Sequence, residues 1–515
     1  MNRSQAQALA TLFLVYNAGA QIPALHRAVP SAAIPGQSTD INLFGENLAD
    51  VTPWWTSFPA KAESISGEGR AEQDKTVVRL TIPPKTPVGI GALRLWTSNG
   101  VSSLLLFMID DLPSLAGSGT NRSRATAQRL TPPVAVDGSC DELGSDFYKF
   151  TAIKGRLVSI EVIAQRLGSP LDPLVRLLDA NGRELAYCDD EPGLGADARI
   201  QHTFSASGEY YIEIRDTNYQ GGPRHRYRLR VENHPPAPLP FPLRAPVGNG
   251  TLPSSTELVE AEPNNTPQTA TRITVPSAIN GRFAKPKDRD WYQFDAKKDQ
   301  RLIFRGQARS LGSPSELFLR LTWPDGRRIA QANLSGSDEG TITNTFSEAG
   351  SYCLLVEELA QRSGPEHVYR VEIETYRPGF ALTVDTERVQ ATQSGSFEIK
   401  VNCARRDYSG PIQFALDGGG GQFALESKTS SNKTNEIHTL KATLPPGLPP
   451  GSLTQFQIVG RATINDQEFT TTASTMPALR KLFPQTPYPP AQLEGWIGLG
   501  IKPSPSPAEK DSVEP

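Results

Sequence analysis

Oxygen-bearing side chains gather within one short stretch of this chain. They come from the run Glu-Ala-Glu-Pro-Asn-Asn and from the Lys-Asp-Arg-Asp segment just before Trp-Tyr-Gln-Phe, and they are Glu260, Glu262, Asn264, Asn265, Asp288 and Asp290. Calcium takes about six to eight oxygen ligands, and carboxylates with Asn carbonyls from two loops can supply them. The stretch is therefore a candidate calcium site. The alternative is a solvated turn before a strand, in which Asp and Asn serve the turn geometry.

Residue sets with catalytic spacing are missing from the sequence. None of the six histidines lies in a His-Glu-x-x-His pattern, and no Gly-x-Ser-x-Gly turn occurs. The glycine run at 418–421 lacks the Lys-Ser/Thr of a phosphate-binding loop. Catalytic residues can be distant in sequence, so an enzyme is not excluded, but we expect a protein without catalytic activity.

The four cysteines include no Cys-x-x-Cys pair, which leaves a structural zinc site without support. Cys140 and Cys188 lie in predicted loops of one module, and they could form a disulfide if their Cα atoms fall within about 7 Å. Cys353 and Cys403 lie in predicted strands and are interpreted as small core residues.

The composition predicts which elements carry the candidate site. With 515 residues the chain is too long for one core, and its 43 glycines and 44 prolines close many short runs of period-two alternation. This pattern predicts an all-β fold of tandem β-sandwiches. The net charge of −3 and the lack of a Lys/Arg stripe exclude nucleic acid as an expected partner.

An internal repeat relates residues 117–232 to residues 257–375. Asp146-Phe-Tyr-Lys-Phe150 matches Asp290-Trp-Tyr-Gln-Phe294 at an offset of 144 (290 − 146), and Tyr227 matches Tyr369 at 142 (369 − 227). A single two-residue deletion reconciles the two offsets. Asn181-Gly182 and Asp325-Gly326 occupy equivalent positions and predict hairpin turns with positive φ at both residues.

The motif order in both repeats resembles the bacterial pre-peptidase C-terminal domain. That domain is a jelly-roll-like antiparallel sandwich found appended to secreted peptidases and in large surface proteins, and the resemblance covers nearly half the chain. In its collagen-binding members a Glu-x-Glu-Pro-Asn segment and aspartates before the Trp-Tyr strand bind calcium. The resemblance therefore implies calcium ligands at Glu260, Glu262, Asn264 and Asp290 in the second repeat, with Asp288 beside them.

Two departures weigh against calcium. Lys287 stands where those members often carry an acidic residue, and a lysine there would repel the ion. The first repeat keeps Asp146 but has Thr120-Asn-Arg-Ser in place of the acidic run.

Further modules flank the repeats. Residues 25–110 resemble the small immunoglobulin-like IPT/TIG module, and residues 379–476 resemble bacterial immunoglobulin-like repeats. The Pro-rich segment 233–256 is interpreted as a semi-rigid linker. The Pro-rich tail at 477–515 is predicted to be largely disordered, although a small apolar island at 493–500 could dock on a sandwich.

The first 20 residues fit a secretory signal peptide. Arg3 precedes an apolar run, and Ala18-Gly-Ala20 is a small-residue cleavage pattern. The alternative is the first strand or helix of the following module. No stretch approaches the roughly 20 apolar residues of a transmembrane helix. We therefore expect an exported protein, whether periplasmic, cell-surface or secreted.

These features predict an exported, non-catalytic binding or adhesion protein that holds an extracellular protein or polysaccharide on its sandwich faces. One alternative is a structural spacer or assembly subunit of the cell envelope. Another is an ancillary non-catalytic component of a secreted peptidase system.

Overall fold

The computed structural model describes residues 22–49, 53–65, 73–191, 193–235, 256–332, 339–431 and 436–503. Within them the chain forms four pairs of β-sheets and one short α-helix. The predicted fold class, tandem β-sandwiches, is confirmed. The predicted signal peptide, all of the linker from 236 to 255 and the last twelve residues, 504–515, lie outside the described residues.

The first module packs two sheets face to face. Their strand orders are β1-β3-β6-β5 and β2-β9-β7-β4, with β8 paired to β7, and the strands are β1 (Ala24–Val29), β2 (Ala32–Ala33), β3 (Ser38–Glu46), β4 (Trp54–Thr56), β5 (Lys61–Ser64), β6 (Lys75–Thr81), β7 (Gly89–Thr97), β8 (Gly100–Val101) and β9 (Leu105–Ile109). Alternation in β3 turns Ile41 and Leu43 inward, where they pack with Val78, Leu95 and Phe107 in one core.

The two repeats have the same topology. The first contains β10 (Ser114–Ala116), β11 (Gln128–Arg129), β12 (Val134–Ser139), β13 (Asp146–Ala152), β14 (Leu157–Ile163), β15 (Pro173–Leu178), β16 (Glu184–Cys188), β17 (Ala198–Thr203), β18 (Gly208–Asp216) and β19 (Arg226–Glu232). The second contains β20 (Thr256–Val259), β21 (Thr271–Arg272), β22 (Ser277–Arg282), β23 (Arg289–Ala296), β24 (Arg301–Gln307), β25 (Leu317–Thr322), β26 (Arg328–Gln331), β27 (Thr341–Thr345), β28 (Gly350–Glu358) and β29 (Val368–Thr375). The sheet orders β10-β12-β19-β14-β17 and β11-β13-β18-β15-β16 recur as β20-β22-β29-β24-β27 and β21-β23-β28-β25-β26.

Short 3₁₀ turns occur at Arg124–Thr126 in the first repeat, and at Gln165–Leu167 and Arg309–Leu311 in equivalent positions of the two repeats. The cores also match. Phe204 and Tyr210 pack at a tilt with ring centroids 4.3 Å apart, and Phe346 and Tyr352 do the same at 4.4 Å. The repeat found in the sequence is therefore a repeat of the fold itself.

The predicted hairpin turns were wrong in one respect. Gly182 and Gly326 each have a φ of 85°, but Asn181 and Asp325 do not have a positive φ. A register shift beside each turn accommodates an additional residue in the loop. The loops are thus longer turns that close in a glycine bulge, and only the glycine needs the left-handed conformation.

The fourth module extends well beyond its predicted end at 476. Its sheets are ordered β30-β32-β35-β34 and β31-β38-β36-β33, with β37 paired to β36. The elements are β30 (Gly379–Val384), β31 (Arg388–Thr392), β32 (Ser396–Arg406), β33 (Gln413–Gly418), β34 (Ala424–Ser431), β35 (Glu436–Thr443), β36 (Leu453–Ile464), β37 (Gln467–Thr472), α1 (Met476–Leu482), a 3₁₀ turn at Ala491–Leu493 and β38 (Ile497–Lys502).

The prediction of a largely disordered tail is therefore wrong for residues 477–503. Ile497, Leu499 and Ile501 alternate along β38 and are fully buried in the core of the fourth module. The glycines between them face the first module. A Cβ on Gly500 would lie 2.1 Å from the Trp96 ring, and one on Gly498 would lie 2.0 Å from the Arg94 guanidinium. The apolar island is a central strand of a sheet, and the many prolines around it conceal this.

The last module packs against the first. Leu479, Phe483 and Leu493 form a buried cluster with residues 92, 104 and 106 of the first module. Arg94 and Glu387 make a buried ion pair with an Nη2–Oε2 distance of 2.5 Å. Both carry side chains that are at most 10% exposed. The first and fourth modules, which are far apart in sequence, are thus in direct contact.

A second buried charge cluster joins the first module to the first repeat. Arg228 is fully buried and its Nε donates to Asp110 at 2.6 Å, while its Nη1 donates to Asp137 at 3.1 Å. Asp110 follows β9, and Asp137 lies in β12. Asp137 also accepts hydrogen bonds from the backbone and hydroxyl of Ser31. The orientation of these two modules is thus fixed by buried ionic hydrogen bonds.

The four cysteines are free. Cys140 is buried and Cys188 is partly buried, and the two are not bonded to each other.

Candidate metal centre

The acidic residues of the second repeat meet at one end of the sandwich. Glu260 directly follows β20, and its N–H donates to the Asn280 carbonyl of β22 at 2.8 Å. The loop then returns to β23, where the Trp291 N–H donates to the Asn264 carbonyl at 2.9 Å. Asp290 in β23 is fully buried. Two loops and a strand end therefore position the site.

The structure brings three of the predicted ligands together. Carboxylate oxygens of Glu260, Glu262 and Asp290 lie within 4.8 Å of one another. The Asn264 N–H donates to Glu262 at 3.0 Å, and its amide donates to Glu260 at 3.4 Å. The side chain of Asn265 also donates to Glu262, at 2.7 Å. Asn265 thus supports the site as a donor.

Two oxygen atoms at this site lack N–H or hydroxyl donors among the described residues. Oδ1 of Asn264 and Oδ1 of Asp290 are buried, and neither accepts such a hydrogen bond. A buried polar atom without a partner costs free energy unless something else satisfies it. Carboxylates and an amide oxygen are the ligands that calcium prefers. The donor set therefore fits a calcium ion.

Asp288 and Lys287 lie in the turn before β23. Asp288 is buried, and its Oδ2 accepts from the Ala284 and Lys285 N–H groups at 2.8 and 3.4 Å, so it holds the turn. Its Oδ1 is buried and accepts no hydrogen bond from the described residues, but Asp288 is not among the three acids that lie within 4.8 Å of one another. Lys287 has a positive φ of 65° in that turn and an exposed side chain. Water screens its charge, which weakens the repulsion expected from the sequence.

Burial and mutual repulsion govern the ionisation of these acids. Burial raises the pKa of Asp290 to about 9, and the nearby charge of Glu260 and a shared hydrogen bond with it act in the same direction. Burial also raises the pKa of Glu260. Without a cation the two carboxyls must share a proton, because like charges at this distance cannot both ionise cheaply. A divalent cation would take the place of that proton.

Two tyrosines orient Asp290, and the sequence did not reveal this role. The Tyr369 hydroxyl donates to Oδ2 of Asp290 at 2.6 Å, and the Tyr292 and Tyr369 hydroxyl oxygens lie 2.7 Å apart. This leaves Oδ1 of Asp290 for the acidic cluster. Gly281 is the sequence feature that could have indicated the position of Tyr369, because a Cβ there would lie 2.1 Å from the Tyr369 ring.

The first repeat carries an arginine side chain where the second repeat has its acidic cluster. Gly117 and Gly119 stand at the positions of Glu260 and Glu262, at an offset of 143 (260 − 117). The Arg122 guanidinium instead pairs with Asp146 and, at 2.6 Å, with Asp141. Burial raises the pKa of Asp146 to only about 6, because Tyr227 and Arg122 oppose the rise. An arginine thus replaces the ion that the second repeat could bind.

A further group of possible ligands lies in the fourth module. Single atoms of Cys403, Glu436 and His438 also lie within 4.8 Å of one another. Glu436, however, already pairs with Arg405 through two contacts of 2.5 and 2.7 Å. A guanidinium satisfies this carboxylate, in contrast to those of the second repeat.

The raised pKa of Asp290 predicts a pH dependence. Unfolded Asp titrates near ~3.9, whereas the folded residue holds its proton to about 9, so unfolding between these values releases a proton. In calcium-free protein we therefore expect the stability of the second repeat to fall as pH rises from about 4 to about 9. Thermal melting in a chelator at several pH values measures this. Asp290→Asn should flatten the dependence, and an unchanged slope in that variant would contradict the assignment.

Comparison with known proteins gives partial similarities, and no family model matches the chain. A probable subtilase-type serine protease of Deinococcus radiodurans is 36% identical over 74 residues, which is 14% of this chain. The chain spans about a tenth of the length of that relative, since the match covers 10% of it.

Solved structures show similarity at low scores. The pre-peptidase C-terminal domain of a Bacillus anthracis collagenase matches with 19% identity, over 21% of this chain and 94% of that domain, at a TM-score of 0.17. The Bacteroides ovatus protein SGBP-B, solved with a mixed-linkage heptasaccharide, matches with 11% identity over 68% of this chain and 75% of that one, also at 0.17. Neither score establishes a shared fold.

None of the helices in the described part of the chain has the length and hydropathy that crossing a membrane requires.

Proposed function

We propose that this is an exported, non-catalytic binding protein in which calcium rigidifies one end of the second repeat. The ligands are Glu260, Glu262, Asn264 and Asp290. The observation that carries the proposal is the set of three carboxylates within 4.8 Å, together with buried oxygens that accept no hydrogen bond from an N–H or hydroxyl group in the described part of the chain. The partner is an extracellular protein or polysaccharide held on the sandwich faces.

The chemistry of the ligands favours calcium over other metals. The set contains oxygen only, whereas zinc and copper prefer nitrogen or sulfur. The ligands come from a loop and a strand end with irregular spacing, which suits the flexible geometry of calcium better than the strict octahedron of magnesium. We assign the ion a structural role, because its ligands join the loop after β20 to the start of β23.

A second candidate function is an ancillary, non-catalytic component of a secreted peptidase system. It is supported by the 36% identity to the subtilase-type protease over 74 residues and by the sequence resemblance to the domain that accompanies secreted peptidases. The two candidates differ in the expected partner. Saturable binding in an array of glycans and matrix proteins supports the first, while co-purification with a peptidase supports the second.

Calcium binding is tested by titration of the purified chain after treatment with a chelator. An ion that binds only the folded state stabilises it by about 2.7 kcal/mol at a hundredfold excess over Kd, so the melting temperature should rise with calcium concentration. Isothermal titration should show one site per chain. Asp290→Ala should abolish both signals.

The first repeat supplies the matched control. Asp146→Ala changes the equivalent aspartate where Arg122 already neutralises the site, so the calcium response should persist in that variant. An absence of any shift at millimolar calcium, or a response that survives Asp290→Ala, would exclude the proposed site.

A further inference from the structure

A cavity of about 210 Å³ lies between the first module and the first repeat. It is partly open to solvent and has room for several water molecules. The residues that matter for its chemistry are Arg27, Leu106, Asp137, Asp146, Ile163 and Arg226. The proposed calcium ion belongs to the other repeat, so this cavity is a separate site.

The cavity occupies the place where the second repeat has its acidic side chains. Gly117 and Gly119, which stand at the positions of Glu260 and Glu262, both line it. The backbone is equivalent there, since the Gly117 N–H donates to the Asp137 carbonyl at 2.9 Å just as the Glu260 N–H donates to Asn280 at 2.8 Å. Loss of two glutamate side chains thus contributes to the empty space.

The wall of the cavity carries two arginines and two aspartates. Both aspartates already have a guanidinium partner outside the wall, Asp146 in Arg122 and Asp137 in Arg228. Arg27 and Arg226, in contrast, have no carboxylate within ion-pair distance among the described residues.

Arg226 is incompletely satisfied. One of its terminal nitrogens donates to the carbonyl of His26, but its Nε is buried and has no hydrogen-bond partner among the described residues. Burial and the nearby charge of Arg27 lower the pKa of Arg226 to about 10, although Asp137 opposes the shift. The Arg27 guanidinium lies over the Phe44 ring, 3.8 Å from the centroid. Both guanidinium groups would gain from a negatively charged ligand.

Apolar side chains form another part of the lining. Leu106, Ile163 and Leu167 meet there, and Ala28 and Val29 extend the same surface. A ligand with hydroxyl groups on every face would leave some of them without partners against these side chains. An aliphatic group would be buried there without that cost. The lining therefore suits a molecule with one anionic end and one apolar body.

We propose that this cavity binds the free C-terminal carboxylate of a peptide that ends in an aliphatic residue. The carboxylate contacts Arg226 and Arg27, and the terminal side chain lies against Leu106, Ile163 and Leu167. Because the lining comes from two modules, the bound ligand also links the first module to the first repeat.

The test is a titration of the full chain with N-acetyl-leucine, which mimics such a terminus, and with N-acetyl-leucinamide, which lacks the charge. We expect saturable calorimetric binding of the acid, and binding of the amide weaker by about tenfold or more. Equal affinities for both would overturn the proposal. Tighter binding of glucuronate than of N-acetyl-leucine would overturn it in favour of an acidic sugar.

Two variants borrow residues from the second repeat, whose backbone tolerates them. Arg226→Val introduces the equivalent of Val368 (226 + 142) and removes the anchor, and Gly117→Glu introduces the equivalent of Glu260 and fills the cavity with a resident carboxylate. Each should weaken binding of the acid by about tenfold or more. Arg183→Gln, at an exposed arginine, is the charge control and should leave the affinity unchanged. Retained affinity in Arg226→Val would exclude the proposal, whatever the outcome of the calcium titration.

Discussion

Arg228→Met should lower the free energy of unfolding by about 3–5 kcal/mol, which is the usual cost of breaking a buried ion pair from one side. The substitution keeps most of the side-chain volume and removes the charge. It leaves Asp110 fully buried without the 2.6 Å hydrogen bond from Arg228, and deprives Asp137 of both its contacts to the guanidinium. Urea unfolding followed by circular dichroism measures the loss, and hydrogen exchange should locate it at the junction of the first two modules.

The second repeat offers a control for this substitution. Arg370 is the equivalent arginine (228 + 142) and is also buried, but its partners Glu257 and Glu372 have side chains that are 57% and 15% exposed. Water can reach both carboxylates after Arg370→Met, whereas Asp110 is fully buried, so we expect a smaller loss. Equal losses in the two variants would show that burial of the partner aspartates does not determine the effect.

Arg94→Met should open the contact between the first and fourth modules, again at a cost of about 3–5 kcal/mol. The change leaves Glu387 without the guanidinium 2.5 Å away, in a place where its side chain is only 10% exposed. Small-angle scattering should detect a larger radius of gyration, because the modules then separate more readily. The exposed pair of Arg79 and Asp40 gives the control, and Arg79→Met should leave both the stability and the radius of gyration nearly unchanged.

The double variant Arg94→Met with Glu387→Met tests the cause. Removing both charges leaves only Arg388 without its contact to Glu387, and water can solvate that guanidinium because its side chain is 27% exposed. Well-packed apolar residues often replace a buried pair at little cost. We expect most of the lost stability to return, together with the compact scattering profile. A double variant as unstable as Arg94→Met alone would assign the effect to lost packing around Trp55 and Gly498.

Local patterns in the sequence were sufficient for the fold class and for the repeat. Period-two runs predict strands because successive side chains face opposite sides of a sheet. The candidate calcium residues also lie close together in the chain, so the motif alone grouped Glu260 with Glu262, and the strand placed Asp290 near them.

The remaining features depend on pairing between distant segments. Tyr369 reaches Asp290 across 79 residues, and no local pattern reports that register. In the sequence, Arg122 stands in the segment that lacks the acidic run of the second repeat. Only its contact with Asp146 shows that it supplies a positive charge there. The last strand was missed because prolines dominate its surroundings, although the short run Ile497–Lys502 contains none.

Strand β38 has a consequence for how the protein can be cut and produced. It lies between β31 and β36 and pairs in parallel with β31. The first residue of β31 precedes the first residue of β38 by 109 positions (497 − 388). A shortened chain that stops at 476 would still contain all the remaining strands of that module, β30 to β37. It would nevertheless expose two unpaired backbone edges beside an open apolar core, which is the arrangement that recruits strands from neighbouring molecules. Loss of β38 would also uncover Trp96 on the first module. Truncation of the fourth module would therefore expose apolar surface on the first module as well.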